Sequence, residues 1–305
     1  MMDLSGLLVK QGQLFLLLAL GLLFKRKHIL DGSFQRGLTE LIIKLVLPCS
    51  IIQSFRMEFN GEILRQTWQI LAVSTALQLG CWGLALALYR RRDPSKQPAL
   101  RYATLCSNAA FLGSPVVDGI FGSQGLLLSS IYLTPQRIAM WTVGLGFFTK
   151  GSKQKLWKKV LGNPCIDAVF IGLALLLTQW QLPEVLGSTI RSLGNCNTAL
   201  SMFLIGMICA DVDRQDFLDV DSLYFSAVRL VLIPGLLLLG CRLAGTAELV
   251  TDVSVVLAAM PAGGTTAILA AKYGGNARFA AGCVTVSTLL SLLAVPAWCL
   301  VLQAL

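Results

Sequence analysis

The chain has 305 residues and only one histidine, His28; its nine cysteines stand singly, without a Cys-x-x-Cys pair. A zinc or haem site built on imidazoles or paired thiolates is not expected, and no metal or cofactor is assigned. Charge is equally scarce, at 13% of residues against about 25% in soluble domains. The acidic stretch "ADVDRQDFLDVD" at 210–221 lacks the glycine and terminal glutamate of an EF-hand loop and reads as a solvated loop. No cluster of His, Asp or Glu is set for catalysis, so an enzyme is not expected.

What is present is apolar. Hydrophobic residues make up 55% of the chain and its mean hydropathy is +0.70. Windows of about 20 apolar residues, enough to cross a bilayer core, recur with only short polar breaks. They fall at 6–24, 36–55, 66–89, 100–120, 126–149, 165–181, 186–209, 222–245, 250–272 and 277–303. Lipid-exposed backbone must satisfy its own hydrogen bonds, and the alternation of barrel strands is missing, so these windows are expected to be helices. The first is not a cleaved signal peptide, since its basic cluster "KRKH" follows the apolar run. The chain is thus expected to be an all-α polytopic membrane protein with no soluble domain.

A formal charge of +9 raises the question of nucleic acid, and the placement of the 25 Lys and Arg answers it. Most lie in alternate loops: Lys25 to Lys27 and Arg36; Arg90 to Arg92, Lys96 and Arg101; Lys150 to Lys159; Arg214; Lys272 and Arg278. The intervening loops hold only Arg56, Arg65, Arg191 and Arg242. This is the positive-inside pattern; it predicts both termini outside the cell (plasma or inner) membrane and leaves no role for nucleic acid.

Ten spans divide into two sets of five at the basic loop 150–164, giving repeats at 1–150 and 151–305. Setting Phe121-Gly122 on Tyr273-Gly274 lays "GIFGSQGLLLSS" over "AKYGGNARFAAG". Each half then ends with a glycine-rich, proline-containing span, a short turn and a long closing helix. An odd number of spans per half inverts the second, the plan of carriers that hold substrate between discontinuous helices. The stretch "SNAAFLGSPVVDGIFG" (107–122) in span four and "MPAGGTTAILAAKY" (260–273) in span nine are the expected interruptions.

These residues resemble the auxin efflux carrier family, which includes plant auxin transporters and bacterial carriers of malonate, malate and related acids. The resemblance rests on Asn108, Gly113, Pro115, Phe121 and Gly122 in span four, and on Gln136, Trp141 and Thr142 in span five. It continues with Asn163-Pro164, with Met202, Phe203 and Gly206, and with Pro261, Gly263, Ala271 and Lys272. It implies a ten-helix inverted repeat with crossover helices four and nine, and an elevator-like transport domain moving against helices one, two, six and seven. One departure is Thr266, which stands where the plant carriers have their second crossover proline; the break in span nine is therefore expected from Gly263, Gly264, Thr265 and Thr266. The long hydrophilic loop of many plant members is absent.

Asn108, whose amide offers two donors and an acceptor, is the leading substrate contact, with Ser107 as helper. Pro115, flanked by Gly113 and Ser114, is expected to open the helix and free amides suited to a carboxylate. Gln136 is a further contact. Arg137 suits either the carboxylate or a structural acid such as Asp118 or Asp167. Lys44, central in span two, is a candidate for coupling, whereas Lys10 and Arg229 are expected to snorkel. The function expected is secondary transport of a small organic anion. A sodium-coupled symporter of the bile-acid type, or a non-transporting sensor or assembly subunit, are the alternatives. The expected partners are a small carboxylate, H+ or Na+ as coupling ion, the lipid bilayer and a second copy as a homodimer.

Overall fold

The computed structural model describes residues 4–56, 61–148, 164–210 and 219–305. The boundary at 150/151, Asn163, and most of the acidic loop after Ala210 lie outside the described residues. Within them the secondary structure is helical, and no strand is present. Helix α1 is Leu4–Arg26; α2 (Gly32–Leu41) runs through a π turn, Ile42–Val46, into α3 (Leu47–Ser54); α4 is Gly61–Leu88 and α5 Gln97–Leu105. A π turn, Ala109–Gly113, leads into α6 (Ser114–Ala139), and another, Met140–Gly144, joins it to α7 (Leu145–Phe148). The second half has α8 (Pro164–Thr178), α9 (Glu184–Ala210), α10 (Val220–Ala227) and, past the π turn Val228–Leu232, α11 (Ile233–Leu243). It closes with α12 (Glu248–Ala258), α13 (Thr265–Lys272) and α14 (Ala277–Ala304).

Four continuous helical runs are long and apolar enough to cross a membrane: Gly61–Leu88, Ala109–Phe148, Val220–Leu243 and Ala277–Ala304. Their exposed faces carry large apolar side chains, among them Leu79, Leu239 and Leu293. Such a surface is stable against lipid and not against water. The chain is a multi-pass membrane protein.

The 40-residue run Ala109–Phe148 would measure about 60 Å if straight, twice a bilayer core. It folds back at Gly122, whose φ of 65° and ψ of −157° only glycine adopts without strain. Gly274, 152 residues on, also has a positive φ, of 70°, between α13 and α14. Side-chain caps hold the starts of several helices. Asp31 accepts from the amides of Ser33 and Phe34, Asp219 from those of Asp221 and Ser222, and Asn276 from that of Phe279.

Packing separates the helices into two groups. In one, α1, α2–α3, α8 and α9 pack on one another. There α1 and α9 meet backbone to backbone: a Cβ on Gly21 would run into the Phe203 carbonyl, and one on Gly206 into that of Leu18. In the other, α6 lies against α4 and α12, α14 against α10 and α13, and α5 against α4. Lys44, the candidate for coupling, belongs to the first group. It is exposed on the outer face, 2.9 Å from Glu40 one turn back.

Candidate functional site

The two interrupted helices cross, and their interruptions are bonded to each other. Helix α5 ends at Leu105; Cys106 is extended (φ −117°, ψ 94°) and helix resumes only after Asn108. Helix α12 ends at Ala258, and α13 begins at Thr265. Ser107 and Ala262 form an isolated antiparallel bridge between the gaps. The Asn108 amide donates to the Pro261 carbonyl at 2.7 Å, and the Gly263 amide to the Cys106 carbonyl at 3.0 Å. Each break thereby satisfies part of the backbone that the other leaves open, as a non-helical segment at membrane depth requires.

The break in span four lies upstream of Pro115, whereas the gap in span nine, between Ala258 and Thr265, takes in the expected Gly263 and Gly264. Pro115 sits in the first turn of α6, a position that tolerates proline, and the wider π turn Ala109–Gly113 takes up the clash it would make with a preceding carbonyl. The opening is upstream, at Cys106 to Asn108. In span nine the helix ends at Ala258, ahead of Met260, where Pro261 disfavours helical backbone. Gly263 and Gly264 lie within the same gap. Glycine is still needed at two points of close approach. A Cβ on Gly263 would lie 3.1 Å from the Cys106 carbonyl oxygen, and one on Gly113 2.8 Å from Leu257 Cδ2 and 2.9 Å from Met260 Cγ.

Gln136 and Ser107 form a closed reciprocal pair. Gln136 Nε2 donates to the Ser107 carbonyl at 2.8 Å, and Ser107 Oγ donates to Gln136 Oε1 at 3.0 Å. Both residues are buried. The Asn108 side chain, by contrast, is half-buried and makes no capping hydrogen bond to the helix that it starts. Across the gap, Gly264 and Thr265 are half-buried, and Tyr102 OH donates to Thr265 Oγ1 at 3.1 Å. Thr266 is buried, and its hydroxyl has no hydrogen-bond partner among the described residues. Arg137 is buried beside Gln136 in α6. The structure thus gathers Ser107, Asn108, Gln136, Gly263, Gly264 and Thr265 at one crossing, with Gly113 packed against α12 beside it, and leaves Lys44 outside.

Two charged residues were misjudged or missed from sequence. Arg229 does not snorkel. It is 2% exposed, and its guanidinium donates to the Met260 carbonyl (Nε, 3.0 Å) and the Thr104 carbonyl (Nη1, 3.2 Å). The signal was its place, two turns inside an apolar run. Asp252 is also buried, one turn after Glu248 on α12.

A family model described as membrane transport protein matches the chain at residues 8–155 and 147–299. An uncharacterized transporter of Methanothermobacter thermautotrophicus is 27% identical over 298 residues, covering 94% of this chain and 95% of that protein. The uncharacterized transporter YfdV of Escherichia coli K12 is 21% identical over 302 residues, 93% of this chain and 94% of its own. An uncharacterized transporter of Methanocaldococcus jannaschii is likewise 21% identical, over 298 residues, with 93% and 94% covered. With its apolar helical runs and nearly complete coverage by the family model, the chain belongs to the membrane transport protein family, that of the auxin efflux carriers.

Proposed function

We propose that this transporter is a secondary active carrier of a small organic anion, a mono- or dicarboxylate of the auxin or malonate/malate kind, working by elevator-type alternating access. The observation that carries the reading is the crossing itself. Two half-helices restart there, at Ala109 and Thr265, and the first turn of a helix carries amides without partners inside the helix and a positive dipole end, the environment that suits a carboxylate. Beside them Asn108 presents a half-buried amide that no cap engages. In this reading Asn108, Gly264 and Thr265 meet the substrate, Ser107 and Gln136 fix the shape of the gap, and Arg137 adds positive charge next to it. Gly113, Pro115 and Gly263 set how closely the helices approach.

The architecture we assign is ten spans in a five-plus-five inverted repeat, 1–150 and 151–305, with both termini outside the cell membrane. Supporting it are the paired breaks at Cys106–Asn108 and Ala259–Gly264 and the paired left-handed glycines, Gly122 and Gly274. The elevator is supported by the separate packing of α1, α2–α3, α8 and α9, a scaffold against which the crossing helices would slide.

Reconstitution into liposomes tests the reading, with uptake of labelled malonate, malate and an aromatic acetate under imposed pH or sodium gradients. Uptake of at least one is expected. Asn108→Ala should lower it about 10- to 100-fold, the value of one hydrogen bond to a charged group, without loss of folded protein. Failure of every carboxylate under every gradient, or normal uptake in Asn108→Ala, would overturn it.

A further inference from the structure

Four half-helix ends meet at the crossing, and Arg229 treats them unequally. Its Nε–H and Nη1–H each take a carbonyl from a different C-terminal end, Met260 beyond α12 and Thr104 in the last turn of α5. It is 2% exposed, and no carboxylate pairs with it among the described residues. A buried charge without an acidic partner is costly unless something else balances it. Two helix C-termini do so here, each equivalent to about half a negative charge. Together they match one guanidinium. The two N-terminal ends, at Ala109 and Thr265, then keep their positive potential.

In carriers with discontinuous helices, the unwound carbonyls and C-terminal half-helix ends are where a coupling Na+ is held. We infer that Arg229 is a resident cation in that place, so that the crossing binds its anion without sodium. This rests on reading the crossing as the transport site. Arginine suits the task, because its planar fork sends donors to two diverging carbonyls in a fixed geometry that a single ammonium nitrogen does not reproduce. The π turn Val228–Leu232 that carries it presents the side chain to both ends.

The test needs no substrate. Thermal unfolding of the detergent-solubilised full chain is followed against NaCl, with choline chloride holding ionic strength constant. The wild type should show no saturable shift of its midpoint. Arg229→Ala should unfold earlier and recover saturably with methylguanidinium but not with tetramethylammonium. Its stability constant should fall about 100- to 10,000-fold, the loss of two charge-assisted hydrogen bonds. Arg229→Lys should fall between the two, and together with the wild-type sodium titration it decides the matter if Arg229→Ala does not fold. A saturable sodium shift in the wild type would overturn the inference. So would an Arg229→Ala or Arg229→Lys midpoint equal to that of the wild type, or an Arg229→Ala midpoint that methylguanidinium leaves unmoved. A carrier that moves no carboxylate would sink the organic-anion reading and leave these midpoints as they are.

Discussion

Replacing Gln136 by Met separates residues that shape the crossing from those that meet its ligand. Methionine nearly preserves volume, so the cavity contribution is small and the change reports hydrogen bonding. Both bonds to Ser107, at 2.8 and 3.0 Å, are lost together. If they behaved like average interhelical bonds in a membrane, at about 0.6 kcal/mol each, the loss would be about 1.2 kcal/mol. Ser107, however, is 6% exposed and already bridges to α13's side of the crossing, so its carbonyl and hydroxyl find no water in exchange. Leaving a buried polar group without a partner costs about 1–3 kcal/mol, which puts the two together at about 2–6 kcal/mol. Unfolding of purified protein by tryptophan fluorescence should show a loss in this range, with uptake falling in proportion to folded protein. The sharper test is the double mutant. Ser107→Ala alone removes one bond and should destabilise; in the Gln136→Met background it removes an orphaned hydroxyl and should be neutral or stabilising. Additive losses from the two substitutions would refute the reciprocal pair and the division of labour built on it.

Gly122→Ala should destabilise by about 1–3 kcal/mol through backbone strain alone, because nothing lies within 4 Å of an added Cβ. Gly80→Ala, with equal space in the interior of α4, should instead stabilise by about 0.4–1 kcal/mol; equal signs for the two would refute the assignment. Outside the membrane, Lys96 Nζ lies 2.7 Å from Asp219 and 3.2 Å from Asp221. Partial burial pushes the Asp219 carboxyl up, but the hydrogen bond from Lys96 and the amides of Ser222 and Asp221 more than reverse this, leaving it below the usual 3.8. Burial likewise lowers Lys96, and its bonds to Asp219 and Asp221 outweigh that, leaving it above 10.5. A depressed acid contributes stability above its unfolded pKa and loses it as pH falls through the folded value; a raised amine does the opposite. Lys96→Met should therefore be less stable than wild type across neutral pH, with the gap narrowing below pH 3.8 and above pH 10.5. A gap independent of pH would count against the ion pairs.

Much of the helical layout was legible because apolar runs and basic loops carry it locally. Span four showed its interruption because Ser and Asn compete with helical backbone bonds and Pro115 lacks an amide. Its position was legible only roughly. A proline permits a helix start as readily as it ends one, and whether Pro115 opens the helix depends on the turn before it. Thr266 in place of a proline made the second break look weaker than it is, while Pro261, five residues earlier, disfavours helical backbone at Met260. The burial of Arg229 was hidden for a related reason. Depth along a helix is written in the sequence, but the face a residue occupies depends on π turns that no periodicity reveals.

By itself, the sequence determined that this chain crosses a membrane many times, that its helices are interrupted at two places, and that no histidine-based metal chemistry is expected. These follow from composition and from the hydrogen bonds that backbone must make in lipid. The tertiary structure alone decided that the two interruptions pair with each other, that Gln136 is engaged with Ser107 while the Asn108 side chain leaves the helix it starts uncapped, and that Arg229 joins both C-terminal ends. Each of these is a meeting of residues at least 29 positions apart or an accident of helical facing. Such meetings are set by packing, and packing is not periodic.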